Sequence, residues 1–321
     1  MDLTIDMEKM RPSGFHNYVK KRRDDLIDRV NKGSDWTPVK ECPVCKNMSN
    51  NQKYFDYRGI VSFVCDKCDC LYDDKVPVSV EDVYDNVDYL EHTKKTSYIK
   101  EYEYRKNRFG FERANIIESS LGSLKGKRIL DIGCGTGLFL DVMTKFGAVP
   151  DGLEISKPLA EYTAKRLGIK VFTEDFMGFS SDYRYDVITM FDLIEHIKNP
   201  LDMLQRAKEL LNKGGIILVF TPNYRSIAFE ILKNNSNLYI PTDHLLFFSK
   251  KTVDFLAKTL GMELSMYSTN GMDAFDLLSF DRDINNIDIS NSILLNNINK
   301  VQDTINISGY ANHMRFILKK V

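Results

Sequence analysis

The chain of 321 residues has almost no net charge: 44 Lys and Arg stand against 45 Asp and Glu, a formal balance of −1. No global field therefore draws it to nucleic acid or to an anionic membrane. It lacks any run near the ~20 apolar residues that cross a bilayer as a helix. Its start, MDLTIDMEKMRPSG, is charged where a secretion signal would be hydrophobic. These absences lead to the expectation of a cytoplasmic protein without membrane contact. Cysteine is sparse, at six residues, and a chain of this length builds a full core without disulfide staples. In a reducing compartment, paired Cys-x-x-Cys points to metal instead. Histidine is sparser still, with five residues, so few candidates exist for a base that works near neutral pH.

What is present divides the chain into four stretches. Residues 1–35 are polar and charged, with KKRRDD from Lys20 to Asp25, and read as a solvated N-terminal extension in helical form. The acids Asp24, Asp25 and Asp28 offset any use of the basic run as an RNA handle. Residues 36–80 hold five of the six cysteines and read as short strands and turns. Residues 81–121, rich in Tyr, Glu and Lys, place Tyr98, Tyr102, Arg105 and Phe109 at helical spacing and read as a helical linker or lid. From 122 to 321, short apolar strands such as KRILDI, YDVITMF and IILVFTPN alternate with amphipathic helices. That rhythm means a parallel sheet with right-handed crossovers.

The first of these strands runs into ILDIGCGTGLFL, Ile129 to Leu140. A strand ending in an acid, followed by glycines, makes a tight turn onto a helix N-terminus, where bare backbone can approach a ligand. The glycine pattern of a dinucleotide fold is not completed, because Leu138 and Leu140 stand where its last glycine would be. No Lys-Ser/Thr follows, so there is no phosphate loop. The acid and alternate glycines, Asp131, Gly133, Gly135 and Gly137, instead resemble the first motif of the class I S-adenosylmethionine (SAM)-dependent methyltransferases.

The resemblance implies an α/β, Rossmann-like seven-stranded mixed sheet, whose last strand inserts antiparallel between the two before it. It also implies SAM as cofactor. Glu154, with Ile155 beside it, ends the second strand and would take both ribose hydroxyls. Asp175 would meet the adenine amino group and Phe176 line the ring, while Phe191 and Asp192 would edge the methionine part.

Cys42 and Cys45 form one Cys-x-x-Cys pair, and Cys65 and Cys68 another about twenty residues on. That is zinc-ribbon spacing, and four thiolates make a closed, structural Zn2+ site. Cys70, separated from Cys68 by one residue, could replace it in the site, but that offset spoils the knuckle, and Cys134 reads as a small buried residue of the glycine turn. A ribbon ahead of such a core resembles a group that methylates sugars, nucleotide-linked sugars and other small molecules.

Methyl transfer to a hydroxyl or carbon acid needs a base, and His196 and His244 are the candidates. The alternative for each is a satisfied, hydrogen-bonding histidine. Asp192, Glu195 and His196 also share the spacing of an acid-x-x-acid-His stretch that holds a divalent cation in some quinone-pathway O-methyltransferases. Three functions follow: a methyltransferase acting on an oxygen or carbon of a small, sugar-like acceptor, an RNA methyltransferase with a ribbon for recognition, or a non-catalytic SAM-binding partner. The fourth strand ends in MFDL, not in the Asn/Asp-Pro-Pro-aromatic of enzymes that methylate base amino groups, which favours the first.

Overall fold

The computed structural model describes residues 6–33, 36–48, 51–78 and 102–321. Tyr98 and most of the expected linker, 81–101, lie outside the described residues.

Helix α1 (Phe15–Gly33) corrects the expectation of a solvated extension. Its Leu26, Ile27 and Val30 are buried, and so is Arg23, from the basic run. Arg23 donates to the carbonyls of Asn234 and Tyr239 and lies over the Tyr57 ring. Arg22 pairs with Asp243 at 3.4 Å. The apolar stripe in α1 is short, but the core accepts it, and these two arginines are used internally.

The cysteine-rich stretch forms β1 (Trp36–Pro38), β2 (Gln52–Tyr57), β3 (Ile60–Val64), β4 (Leu71–Asp73) and β5 (Lys75–Pro77). Strands β2, β3 and β4 form an antiparallel sheet, and β1 pairs with β5. Beyond residue 101, a helical segment starting at Tyr102 passes through a π-turn, Lys106–Gly110, into α2 (Phe111–Leu121). Tyr102 donates to Asp141 at 3.0 Å and accepts from Arg166, which ties this segment to the helices of the core.

The alternating region runs β6 (Arg128–Ile132), α3 (Leu138–Lys145), β7 (Val149–Leu153), α4 (Lys157–Leu167), β8 (Val171–Phe172), β9 (Tyr185–Phe191), α5 (Pro200–Leu210) and β10 (Leu211–Pro222). Local signals set these boundaries. Pro158 sits in the first turn of α4 and Gly168 closes it in the left-handed region, while Asn199-Pro200 opens α5. After α6 (Ile227–Leu232) and the two-residue β11 (Leu246–Phe247) comes α7 (Lys250–Leu260), started by a capping box of Ser249 and Thr252. Strand β12 (Glu263–Thr269) is followed by α8 (Asp273–Asp283), a short helical turn, α9 (Ile298–Ser308) and β13 (His313–Lys319). Helices α8 and α9 bury Phe275, Leu278, Ile298 and Ile305 in a small core of their own, a unit for which the Asn- and Ile-rich sequence gave no pattern.

The main sheet has seven strands in the order β12-β13-β10-β9-β6-β7-β8. Strands β6 to β10 are parallel, and β13 lies antiparallel between β10 and β12. This is the Rossmann-like mixed sheet expected. Strand order reverses between β6 and β9, so a cleft opens at their carboxyl ends. Strand β11 leaves the core and pairs antiparallel with β4, extending the cysteine-rich sheet to four strands. One apolar cluster runs from Cys42, Cys68 and Tyr72 through Leu245 and Leu246 to Leu130, Ile188 and Val219. The small module is thus welded to the sheet by a strand pairing and a shared core.

Candidate active site

The turn after β6 is built for backbone exposure. Gly133, Gly135 and Gly137 all have positive φ, between 53° and 72°. At Gly135 (φ +53°) an added Cβ would meet nothing within 4 Å, so the chain there faces open space. At Gly137 it would lie 2.5 Å from Thr163 Cγ2 and 2.7 Å from Leu167 Cδ1. This glycine lets α3 start against α4. Gly137→Ala is expected to cost about 2–4 kcal/mol from the positive φ and the overlap together, visible as a lower Tm in thermal unfolding. An unchanged Tm would show that α4 yields.

Glu154, at the end of β7, is buried. Its Oε2 accepts from Gly135 N at 3.0 Å and its Oε1 from Ser156 N at 3.0 Å. The carboxylate therefore fixes the glycine turn, and each oxygen keeps a second lone pair. Burial raises its pKa, against those two backbone donors. Asp131 sits behind the turn and accepts from Thr189 Oγ1 at 2.6 Å. Burial pushes its carboxyl up to about 7. It is a support of the turn rather than an open acid. Cys134 is buried, its Sγ 2.7 Å from where a Cβ on Gly152 would stand, in line with a packing role.

The other expected cofactor residues divide. Ile155 is 70% exposed, at the rim beyond β7. Asp175 is exposed after β8 and accepts from Met177 N at 2.7 Å, closing a turn. Phe176 departs from the expectation: it is 5% exposed and stacks on Phe179 in the core, because an apolar ring after a two-residue strand folds inward. Phe191 packs edge-on between Phe139 and Phe220, with Arg113 over it at 4.0 Å, so its ring belongs mostly to the core under the cleft. Asp192 adopts φ +52° and its side chain is 51% exposed. His313 and Arg113 hold it well below the usual carboxylate range despite desolvation. Leu193 places Cδ1 3.2 Å from where a Cβ on Gly133 would be, so the turns after β6 and β9 face each other across the cleft.

Beyond that junction His196 and His244 meet with ring centroids 4.8 Å apart. His196 lies in a 3-10 turn after β9, and His244 just before β11. His196 Nδ1 donates to Asp243, at 2.8 Å from both its carbonyl and its Oδ1. His244 Nδ1 donates to the Leu238 carbonyl at 2.6 Å. Each tautomer so set carries its lone pair on Nε2. Burial drives the pKa of His196 down to about 3, helped by His244, and that of His244 down to about 4. Both rings are neutral at pH 7. Glu195 is buried beside them, with Oε2 accepting from Thr221 and Oε1 without a hydrogen-bond partner among the described residues. Burial, then Asp192, raises its pKa well above normal. Ligand-capable atoms of Glu195, His196 and His244 all lie within 4.8 Å of one another. Asp192, grouped with Glu195 and His196 from the sequence, faces His313 and Arg113 instead.

Sequence spacing did not reveal Asp243, Arg113, His313 or Arg315. Asp243 alone had a local signal, as an acid next to a histidine in PTDH.

In the small module, the Sγ atoms of Cys42, Cys45, Cys65 and Cys68 lie within 4.8 Å of one another. The Cys42–Cys68 and Cys45–Cys65 pairs stand 3.5 and 3.4 Å apart. Thiolates bound at ~2.3 Å around a tetrahedral zinc are separated by nearly that spacing. Cys70 is not one of these four, although its Sγ, directed at the Leu71 carbonyl, also lies within hydrogen-bond reach of Cys42.

A family model described as a methyltransferase domain matches residues 104–265. A ubiquinone biosynthesis O-methyltransferase from Coxiella burnetii (strain Dugway 5J108-111) is 32% identical over 123 residues, 36% of this chain and 52% of that protein. One from Vibrio cholerae serotype O1 is 33% identical over 129 residues, 37% of this chain and 53% of that one. The chain thus spans about half the length of the curated relatives it matches. Among solved structures, the magnesium protoporphyrin IX methyltransferase from Synechocystis PCC 6803 with bound SAH is 12% identical, with a TM-score of 0.47 over 68% of this chain and 86% of that one. A SAM-dependent methyltransferase from Archaeoglobus fulgidus is 17% identical, with a TM-score of 0.47 over 70% and 100%.

Proposed function

Because the chain belongs to the methyltransferase-domain family, we propose that it moves a methyl group from SAM to an oxygen of a small, sugar-like acceptor. The observation that carries this reading is the pairing of two neutral histidines beside the junction of the β6 and β9 turns, where an acceptor would stand. The small acceptor is supported by the names of the curated relatives, which are O-methyltransferases of a small-molecule pathway. Its sugar-like character rests on the resemblance of the cysteine-rich module. An RNA substrate is disfavoured, since Arg22 and Arg23 of the basic run are engaged inside the chain.

The open backbone at Gly135 and the carboxylate of Glu154 fit a nucleoside. Asp175, after β8, would meet the adenine, Ile155 would lie beside the ribose carboxylate Glu154, and Asp192 would edge the methionine part, as the resemblance implies. SAM supplies a methyl already activated by sulfonium, so the chain's own task is alignment and proton removal. His196 Nε2 or His244 Nε2 takes the acceptor proton, with Asp243 holding the His196 ring in its tautomer. Glu195 keeps an acceptor oxygen in the same group. The four-cysteine cluster fits a structural zinc, which would hold the small module against β11.

His196→Ala and His244→Ala are each expected to lower kcat about 100-fold or more while SAH, the demethylated product, binds nearly as before by calorimetry. Loss of SAH binding in either variant would remove the base assignment. A second reading follows from the convergence of Glu195, His196 and His244: a divalent cation held by these three side chains would polarise the acceptor oxygen. Metal analysis separates the two readings. Zinc at one per chain, with kcat unchanged after dialysis against added divalent ions, leaves the histidines as bases.

A further inference from the structure

Two consecutive carbonyls of the glycine turn are taken by side chains of the neighbouring helix. Thr163 on α4 is buried, and its Oγ1 donates to the Gly135 carbonyl at 2.7 Å. Arg166, three residues on and so on the same helix face, donates through Nη2 to the Thr136 carbonyl at 2.5 Å. Arg166 is itself held. Its guanidinium lies 4.1 Å from the centre of the Tyr102 ring, and the same Nη2 donates to the Tyr102 hydroxyl at 2.7 Å. That hydroxyl donates to Asp141 at 3.0 Å, and Lys106 pairs with the same carboxylate at 3.3 Å.

The turn runs from Cys134 to Gly137 and is closed by Gly137 N donating to the Cys134 carbonyl at 2.9 Å. Its central peptide carries the Gly135 carbonyl and the Thr136 N–H, which point to opposite sides because the bond is trans. With the carbonyl drawn to α4, the Thr136 N–H is turned away from that helix, and it meets no acceptor among the described residues. Gly135 is gripped from both flanks, since its own N–H donates to Glu154. Its Cα still faces open space, where an added Cβ would touch nothing within 4 Å. A carbonyl left without a donor beside a packed helix is costly. A turn released from α4 would therefore rotate its carbonyls toward the cleft and carry the Thr136 N–H away from it.

We infer that Thr163 and Arg166 are positioning residues for the cofactor: they hold the glycine turn in the setting that presents the Thr136 N–H to the cleft, and Tyr102 holds Arg166 in place. This rests on the methyltransferase reading above and adds to it residues that act through the turn. It also ties the segment beginning at Tyr102 to cofactor affinity, because that segment supplies the last link of the chain of bonds.

Calorimetric titration of SAH into the zinc-loaded full chain tests this, with Tm recorded for every variant. Thr163→Val keeps the methyl packed against Gly137 and removes the hydroxyl, and affinity should fall about tenfold. Thr163→Ser keeps the hydroxyl and gives up the methyl, so affinity should stay within about threefold while Tm falls. A threonine that only packed would give the reverse order of affinities. Arg166→Gln should bind about tenfold more weakly and Arg166→Lys less so, since it retains a charged donor. Tyr102→Phe, which keeps the ring under the guanidinium without the hydroxyl, should lose about threefold. Affinity in Thr163→Val within about twofold of wild type, or a greater loss in Thr163→Ser than in Thr163→Val, would overturn the inference. So would an unchanged affinity in Arg166→Gln, a variant whose side chain is 27% exposed and whose folding does not depend on filling the core. A wild-type chain that takes up no SAH would sink the methyltransferase reading itself, before any variant is compared.

Discussion

Glu154→Ala is expected to weaken SAH binding about 100-fold or more. The buried carboxylate has two tasks: it ties the glycine turn through Gly135 N and Ser156 N, and it offers its remaining lone pairs to ribose hydroxyls. Hydrogen bonds to a charged group contribute about 1.5–3 kcal/mol each, and two lost together exceed the ~2.7 kcal/mol that corresponds to 100-fold. Glu154→Gln should lie between, because an amide keeps one acceptor oxygen and its NH2 cannot accept from the second backbone donor. Calorimetric titration of SAH into both variants measures this. Equal affinity in Glu154→Ala and wild type would mean that the cofactor does not sit at the end of β7, and the nucleoside site would have to be sought elsewhere. The fold itself should survive, since the residue lies at a strand end above the core rather than within it.

The second large effect concerns the four cysteines. Cys42→Ser, or prolonged chelation, should remove about one zinc per chain and lower Tm by roughly 10 °C. A structural zinc binds with about 10 kcal/mol or more of apparent free energy in small peptides. Even a third of that, at the ~2–4 °C per kcal/mol of domains of about 150–250 residues, gives a drop of about 7–13 °C. The loss should reach beyond the small module. Its cysteines share one apolar cluster with Leu245 and Leu246, Tyr224 donates to the Asp69 carbonyl, and Arg225 pairs with Asp69. His244 lies one residue before that cluster and two before β11, so a loosened module should also lower activity through the position of His244. Cys70→Ser is the comparison: Cys70 neighbours Cys42 but is not one of the four clustered sulfurs, so this variant should keep its zinc. A chain that retains zinc and full Tm after Cys42→Ser would rule out the four-thiolate site.

Several features of the fold and site were legible because they depend on near neighbours. The positive φ of the three glycines, the caps at Ser249 and at Asn199-Pro200, and the Cys-x-x-Cys pairs are local in sequence. Other features were misread where burial decides. Phe176 follows an acid and a short strand, which suited a ligand-facing ring, yet its apolar surface is better covered by Phe179. Helix α1 looked solvated because its charges outnumber its apolar residues, and yet Leu26, Ile27 and Val30 suffice for one buried stripe.

The sequence by itself determined the alternation of strands and helices from β6 to β10, the glycine turn with Glu154 beyond it, and the cysteine set of the small module. Each follows from periodicity or from groups a few residues apart, which elementary sterics and bonding constrain directly. Only the tertiary structure decided that Asp243, 47 residues beyond His196, orients it, that His244 stands beside it, and that Arg315 joins Arg108 at Glu112. Those meetings depend on where β11 and β13 cross the fold. No local pattern encodes that, because side-chain charge and burial act through space and not along the chain.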